Sequence, residues 1–275
     1  DKITPKITVT AKILWIIYFA FTVVQTILLM IAGMDFVDAL SHAFATVGTG
    51  GFSTKNTSIA FYNSKAIEWI CTIFMILAGI NFSLYFKLFT GNGKELTSNT
   101  EFKAYLGILL TSIFIVTFAN LEQYQSFFTS LRYSSFHVAS IMSTTGFATQ
   151  NYLEWIPLAQ IILFFLMFIG GSSGSTSGGV KVIRWVILAK QATNESLKML
   201  HPHGIFSIRL NGRAGRNDVV YNVSAFFFLY ALLVLITTVI TTLGGSDILT
   251  SFTASLSMVG NIGPGFGKVG PMDNF

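Results

Sequence analysis

Three short glycine-containing segments recur along this chain, and each follows a half-length apolar stretch. They occupy residues 49–54, 144–149 and 261–265. The first two also precede a further apolar run, so a unit of span, half-length helix, glycine segment and second span repeats. This order predicts re-entrant loops that enter a membrane and leave it on the same side. The repetition points to an ion pathway.

The composition agrees with a membrane protein. Hydrophobic residues make up 52% of the chain and charged residues only 11%, which is too little charge to keep the surface of a soluble domain hydrated. A span needs about 20 mostly apolar residues. We predict spans over residues 13–33, 67–87, 103–119 and 219–243, with a shorter apolar stretch over 155–170. The predicted fold is an all-α polytopic membrane protein of repeated helix, pore-loop and helix units.

Basic residues are distributed unevenly around these spans. If the spans alternate in direction, only Lys55, Lys65, Arg132 and Lys268 of the 17 Lys and Arg residues lie on one side. Positive flanks resist translocation, so the crowded side is expected to be cytoplasmic and the glycine loops to enter from outside. The excess of basic residues therefore indicates the topology of the chain and contact with anionic lipid. We do not expect a nucleic acid partner.

The first glycine segment allows two registers. Residues 46–50 resemble a potassium-channel filter string, whereas aligning Gly51 with Gly146 keeps two histidines in register. His42 and His137 each lie nine residues before the aligned glycine, and we therefore adopt Gly51. Because the two histidines recur at the same position of a repeated half-length helix without a cluster of metal-ligand partners, we expect both to pack or form hydrogen bonds rather than bind a metal.

Loops of this kind suit a dehydrated cation. A cation that loses its water needs several oxygens at similar distances, which carbonyls around an axis can supply. Glycine permits the backbone angles that turn carbonyls to one side. The half-length helices, with Asp35 and Asp247 as expected N-caps, would direct partial negative charge to the centre. The candidate K+ filter residues are Thr49, Gly50, Gly51, Thr144, Thr145, Gly146, Asn261, Ile262 and Gly263.

A second segment, rich in glycine and serine, interrupts an apolar helix at membrane depth. The apolar pieces around it, residues 155–169 and 180–189, are each too short to span. Such a break is expected only where protein or water covers it. A phosphate-binding loop fails because Gly179 is not followed by Lys and Ser or Thr, and a flexible linker would join domains in water. We predict a mobile gate formed by Gly170, Gly171, Ser172, Ser173, Gly174, Ser175, Thr176, Ser177, Gly178 and Gly179.

A few charged residues lie near these features. Glu68 and Glu154 stand near the outer starts of second spans. Each carboxylate either only stabilises the N-terminus of its helix through the helix dipole, or in addition raises the local concentration of cations. Lys181 and Arg184 follow the gate segment and either reach the cytoplasmic face or guard the inner cavity. In the polar stretch 190–218, an Asn-Gly pair at position 211 predicts a short β-turn.

The strings over residues 44–54, 143–149 and 260–266 resemble the second, third and fourth pore loops of the Trk/Ktr/HKT potassium transporter superfamily. The bacterial TrkH branch is the most similar, over essentially the whole chain. The resemblance implies four units with pseudo-fourfold symmetry, so this chain is expected to be a fragment without the first unit and the last span. Its units would be residues 1–102, 103–217 and 218–275.

The resemblance further implies uptake of K+ and Rb+ across a bacterial inner membrane. It implies a homodimer and a cytoplasmic ring of nucleotide-binding regulatory subunits of the TrkA type, with the nucleotide on the partner and no organic cofactor in this chain. By the same resemblance, the polar stretch 190–218 would face that ring. The filter of the absent unit, Gly or Ser among family members, would influence the preference for potassium over sodium.

Two other functions are alternatives to a channel-like subunit. An ion-coupled secondary transporter shares the interrupted helix, but the recurring glycine loops favour the channel-like subunit. A membrane-embedded enzyme would need a nucleophile with a base, paired carboxylates or a metal cluster within the spans. The four histidines are dispersed and there is one cysteine, Cys71, so we predict that the chain is not an enzyme.

Overall fold

The computed structural model describes residues 7–91, 93–204, 206–211, 213–214 and 217–272. Of the 17 basic residues counted above, Lys2, Lys6 and Arg216 lie outside this part, as does Gly212 of the Asn-Gly pair. The regular secondary structure of the described residues is helical, as predicted, apart from one short two-stranded hairpin. Among the described residues, three helices contain stretches long and apolar enough to span a membrane, over Ala11–Ile31, Thr100–Ala119 and Val219–Leu243.

The first unit begins with a long helix and continues with short ones. Its elements are α1 (Ile7–Ile31), α2 (Phe36–Val47), a 3-10 turn (Ser58–Tyr62), α3 (Lys65–Ala78), α4 (Phe82–Phe89) and α5 (Lys94–Ser98). Helix α2 is the predicted half-length helix. It ends at Val47, just before the first glycine segment.

The span predicted over residues 67–87 is bent rather than straight, because α3 and α4 meet at an angle of 91°. Gly79 ends α3, and the Asn81 side chain caps α4 by accepting a hydrogen bond from the Ser83 amide at 2.8 Å. The hydroxyl of Tyr105 fills the space beside Gly79, where an added Cβ would lie 2.3 Å from it. A glycine and a capping asparagine thus break an otherwise apolar helix.

The second unit contains the second half-length helix and the second interrupted span. Its elements are α6 (Thr100–Ala119), α7 (Leu121–Tyr124), α8 (Phe127–Met142), a 3-10 turn (Tyr152–Glu154), α9 (Pro157–Leu166) and α10 (Val182–Leu200). Helix α9 covers only ten residues, and the glycine- and serine-rich segment separates it from α10. The predicted interruption is therefore present.

The third unit follows a small hairpin. The hairpin consists of β1 (Arg209–Leu210) and β2 (Arg213–Ala214), and the unit itself of α11 (Asn217–Leu243), α12 (Ile248–Gly260) and a 3-10 turn (Gly267–Val269). The strands pair antiparallel, with Arg209 opposite Ala214, as the Asn-Gly pair predicts. Helix α11 exposes many large apolar side chains, among them Phe228, Leu229 and Ile240, which suits a lipid-facing span.

The inner ends of the three half-length helices share one apolar core. Val47 of α2, Met142 of α8 and Leu256 of α12 are fully buried in the same cluster, together with Ile262 of the third glycine segment. Each helix therefore brings the glycine segment that follows it to the middle of the molecule.

A buried ion pair joins α3 to α8 within this assembly. The Nε atom of Arg132 lies 3.0 Å from Oε2 of Glu68, and both side chains are about nine-tenths buried. Glu68 therefore does not face the outer entrance, and a role in concentrating cations there is not supported. Glu154 lies in the 3-10 turn before α9, where its carboxylate accepts a hydrogen bond from Asn151 at 2.8 Å.

We expect Arg132→Met to destabilise the protein by about 3–5 kcal/mol, because Glu68 would remain as an uncompensated buried charge. The double variant Glu68→Leu, Arg132→Met should recover much of this loss, since it removes both charges. Thermal unfolding in detergent measures the effect. As a control, Lys198→Met removes the exposed ion pair with Glu195 and should change stability by less than about 1 kcal/mol. A double variant as unstable as Arg132→Met would contradict the electrostatic explanation.

Candidate cation pathway

The three glycine segments have the same backbone conformation. Their first residues adopt the left-handed region at φ values near 50°, and the glycine two positions later also has a positive φ. The residues are Thr49 (49°) with Gly51 (66°), Thr144 (57°) with Gly146 (87°), and Asn261 (55°) with Gly263 (109°). Gly48, in contrast, has ordinary helical angles at the end of α2. The backbone therefore supports the register on Gly51.

The same hydrogen bond closes each turn. A main-chain carbonyl in the last part of the half-length helix accepts a hydrogen bond from the amide of the residue five positions later. The pairs are Gly50 to Ala45 at 2.8 Å, Thr145 to Ser140 at 2.9 Å, and Ile262 to Ser257 at 2.8 Å. The three segments are thus structural equivalents, although only the first two share the Gly-Phe sequence.

The structure brings the three glycine segments into direct contact, with Gly146 against both of the others. A Cβ atom on Gly51 would lie 1.8 Å from the Thr145 carbonyl oxygen, and one on Gly146 would lie 2.5 Å from that of Ile262. A Cβ on Gly263 would lie 2.7 Å from the Cα of Gly146. No side chain fits at any of these positions, because main chain meets main chain. The C-terminal ends of the half-length helices, which carry partial negative charge, therefore lie around the same point.

Two equivalent histidines hold the outgoing chain against its helix. The Nδ1 atom of His42 donates to the Asp38 carbonyl at 2.7 Å, so its Nε2 accepts from the Ser53 hydroxyl at 2.9 Å. His137 Nε2 lies 3.4 Å from the Gln150 amide, which donates to it. Both histidines therefore form hydrogen bonds, as expected. Within the described residues, no group of three or more His, Cys, Asp or Glu could hold a metal ion.

In the third unit a threonine next to the corresponding position has the same role. Thr253 Oγ1 accepts the Phe266 amide at 3.0 Å, joining α12 to the chain after Gly263. Sequence alignment missed this residue because Ala254 occupies the position of the histidines. The sequence signal that could have identified it is a hydroxyl side chain in the turn of α12 that faces the chain after Gly263.

The outer ends of two half-length helices carry acidic residues in different roles. Asp247 caps α12 by accepting the Thr250 amide at 3.1 Å, and hydrogen bonds from Thr250 lower the pKa of its carboxyl. Asp35 occupies the N-cap position of α2, as expected, but its side chain makes no capping hydrogen bond. Asp38 instead accepts hydrogen bonds from Thr54 at 2.6 Å and Tyr62 at 2.5 Å.

The Asp38 contacts fasten the loop after the first glycine segment to α2. Lys55 adds an ion pair to the same carboxylate at 3.0 Å. Burial, and then the bond to Asp38, raise the pKa of Tyr62 to about 12. Tyr62 therefore stays a neutral donor, and the anchor persists at physiological pH.

The glycine- and serine-rich segment, residues 170–179, forms a closed loop on the inner side of the glycine turns. Its ends are joined by a hydrogen bond from the Gly170 amide to the Val180 carbonyl at 2.9 Å. Towards the first unit, the Thr176 hydroxyl donates to the Val47 carbonyl at 2.8 Å, and Thr49 Oγ1 donates to the Thr176 carbonyl at 3.0 Å. The loop is thus bound to both the end of α2 and the start of the first glycine segment.

The same loop also contacts the second and third units. The Gly178 amide donates to Thr144 Oγ1 at 2.6 Å. A Cβ on Gly178 would lie 2.4 Å from the Gly260 carbonyl oxygen at the end of α12. One loop therefore touches the inner end of each described half-length helix or its glycine segment, which places it directly beneath their meeting point.

The break between α3 and α4 supports this loop from the side. The Ser172 amide donates to the Gly79 carbonyl at 2.8 Å, and the Phe82 amide donates to the Gly174 carbonyl at 3.1 Å. Main-chain groups left free by one interrupted helix are therefore satisfied by the other. Sequence reasoning missed Gly79 because a lone glycine within a long apolar run is a weak signal.

Two basic residues follow the loop. The Lys181 ammonium donates to the Ser177 carbonyl, so it turns back to the loop. The Arg184 guanidinium lies 3.6 Å from the centre of the Phe226 ring, a cation–π contact that holds it against α11. Lys181 is therefore part of the loop's own support, and Arg184 packs between α10 and α11.

Comparison with known proteins agrees with this architecture. The family model described as TrkH, cation transport protein, matches residues 1–273. The chain is 37% identical over its full length to the Trk system potassium uptake protein TrkH of Escherichia coli K12, of which it covers 57%. It is 33% identical over 97% of its length to the Trk system potassium uptake protein TrkG of the same organism, of which it covers 56%.

A solved structure matches as well. The crystal structure of the potassium transporter TrkH from Vibrio parahaemolyticus superposes with a TM-score of 0.90 and 35% sequence identity, over 97% of this chain and 58% of that one. The chain thus spans somewhat more than half the length of the relatives it matches.

Proposed function

Because this chain belongs to the TrkH family of cation transport proteins, we propose that it forms the greater part of a pore for K+ in a bacterial inner membrane. In this pore, carbonyl oxygens of the glycine segments replace the water that the ion loses. Rb+ would follow the same path because it is similar in charge and size. The relatives are named as uptake proteins rather than enzymes, and the site is one of permeation.

The main-chain contact among Gly51, Gly146 and Gly263 is the observation that carries this proposal. Side chains are excluded from the point where the segments meet, so backbone oxygens are the groups available there to an ion. Helix C-termini around that point favour a cation over an anion. The filter would comprise the nine residues of the three segments, completed by a fourth segment outside this chain.

We assign the loop of residues 170–179 as the gate of this pore. It is bound beneath the glycine segments by Thr176 and Gly178, and it consists of small residues that can occupy or leave a narrow cavity. The hydrogen bonds of Thr176 and Gly178 join it to main-chain and hydroxyl groups, and water can replace these partners when the loop moves.

Control of the gate would come from the cytoplasmic side. The basic stretch 190–218 offers a surface for an acidic partner or anionic lipid. We propose a nucleotide-binding regulatory ring of the TrkA type as that partner and a homodimer as the assembly. The nucleotide would bind to the ring.

An ion-coupled secondary transporter is the second candidate. The two interrupted helices that bind each other through Gly79 and Ser172 favour it, because paired helix breaks are typical of coupled transporters. Current through the protein decides between the two. A pore gives a reversal potential set by the K+ gradient alone, whereas coupling shifts that potential with the proton or sodium gradient.

Cation flux into liposomes tests the proposed function. We expect the full-length protein that contains this chain to take up Rb+ and K+ at least about tenfold faster than Na+, because a filter of fixed carbonyls discriminates by ion size and coordination. Protein-free liposomes and liposomes with a heat-inactivated sample serve as controls. Equal uptake of Na+ and Rb+ would contradict a potassium-selective pore.

A further inference from the structure

Glu101 contacts the gate loop from outside the pore, and its position gave no sequence signal. It lies in the first turn of α6 and is only 6% exposed. Its Oε1 atom accepts two backbone amides, from Ser173 at 2.6 Å and from Ile183 at 3.3 Å. One carboxylate oxygen therefore joins the gate loop to the start of α10. Hydrogen bonds to a charged acceptor are the strong ones.

The residue before Glu101 is bound to the cytoplasmic hairpin. The Thr100 amide donates to Asn211 Oδ1 at 2.8 Å, and the Asn211 amide donates to Thr100 Oγ1 at 3.3 Å. Asn211 follows β1 in the hairpin turn and has a left-handed backbone (φ 51°). The hairpin turn and the gate loop therefore hold neighbouring residues of the same first turn of α6.

A polar cavity separates the loop from the hairpin. It has a volume of about 690 Å³ and is lined by residues that include Asn81, Glu101, Ser173, Leu210 and Asn211. Ser173 is exposed at its wall. The cavity offers a polar space beside the loop, and Glu101 and Ser173 both line it.

We infer that Glu101 is a positioning residue that holds the gate loop beneath the pore, and that displacement of the hairpin at Asn211 releases it. A partner that binds the hairpin would move the start of α6 and weaken the bonds from Ser173 and Ile183. The two sites lie far apart in sequence but share one helical turn, which supplies a direct mechanical connection. The expected change in ion flux rests on the proposed gate. The contact between Glu101 and the loop can be tested without measuring flux.

Accessibility of a cysteine in the loop tests the inference. Cys71 is the one cysteine of this chain and is buried, so the background is Cys71→Ala together with replacement of any cysteine that the full-length protein carries outside this chain. Ser172→Cys is the reporter, because Ser172 is 1% exposed and its hydroxyl has no hydrogen-bond partner among the described residues. The full-length protein in inside-out vesicles is treated with a membrane-impermeant thiol reagent, and the rate of modification is measured.

We expect Glu101→Ala to raise the modification rate about tenfold or more, the effect of losing a hydrogen bond to a charged group. Glu101→Gln retains an acceptor oxygen and should restore part of the protection. Asn211→Ala should raise the rate in the same direction without altering the Glu101 carboxylate. The control is Glu95→Ala at the same cavity, since Glu95 pairs with Lys87 and should leave the rate unchanged.

Rb+ uptake in the same vesicles separates the two hypotheses. If the variants raise both accessibility and basal uptake in the same order, the holding role and the gate are both supported. If accessibility rises while uptake stays constant, Glu101 still holds the loop but the loop is not the gate. An unchanged rate in both Glu101→Ala and Asn211→Ala would overturn the inference, as would an equal rise in Glu95→Ala.

Discussion

Replacing Gly51 with alanine should abolish the preference for potassium. The added Cβ would lie 1.8 Å from the Thr145 carbonyl oxygen, so the first and second glycine segments must move apart. The left-handed backbone adds about 1–2 kcal/mol, and overpacking typically adds about 1–3 kcal/mol. We expect the ratio of Rb+ to Na+ uptake in liposomes to fall at least about tenfold, since carbonyls that are displaced no longer match the ion.

A second glycine provides the matched control. Gly33, in the turn after α1, also has a positive φ of 109°, but an added Cβ would meet no atom within 4 Å. Gly33→Ala therefore introduces backbone strain without a steric conflict, and its uptake ratio should stay near that of the parent. If both alanine variants lose selectivity equally, strain rather than the meeting of the segments is the cause. Gly146→Ser extends the test, and unchanged selectivity there would remove Gly146 from the pathway.

Deleting residues 171–178 should produce a permanently open pore. The amide of Gly170 and the carbonyl of Val180 are already hydrogen-bonded at 2.9 Å, so the shortened chain can close without moving α9 or α10. The glycine segments keep their own hydrogen bonds to the half-length helices. We expect basal Rb+ uptake to rise about tenfold or more, the effect of removing a barrier of about 1.4 kcal/mol or more, while selectivity stays close to that of the parent.

Single substitutions make the deletion easier to interpret. Thr176→Val removes the hydroxyl that donates to the Val47 carbonyl and should raise basal uptake by a smaller factor. Thr193→Val removes an exposed helical threonine hydroxyl and should have no effect on uptake. A deletion variant with the basal uptake of the parent would show that the loop does not limit flux.

Much of the architecture could be predicted from local sequence. The repeated glycine segments, the half-length helices before them and the interruption at residues 170–179 each follow from patterns within a short window. The register on Gly51 was also accessible, because two histidines at equal spacing accompany the glycine and both bind the outgoing chain. Local patterns failed for Asp35, whose expected capping bond is absent while Asp38 binds the following loop instead.

The sequence by itself therefore determined the class of fold and the order of the units, because apolar length and glycine spacing act over a few residues at a time. Only the tertiary structure decided where α3 breaks, which residue pairs with Glu68, and that Glu101 binds a loop 72 positions away. These outcomes depend on which polar groups meet once the helices are packed. A buried polar group must be paired wherever a partner becomes available, and sequence spacing does not specify that partner.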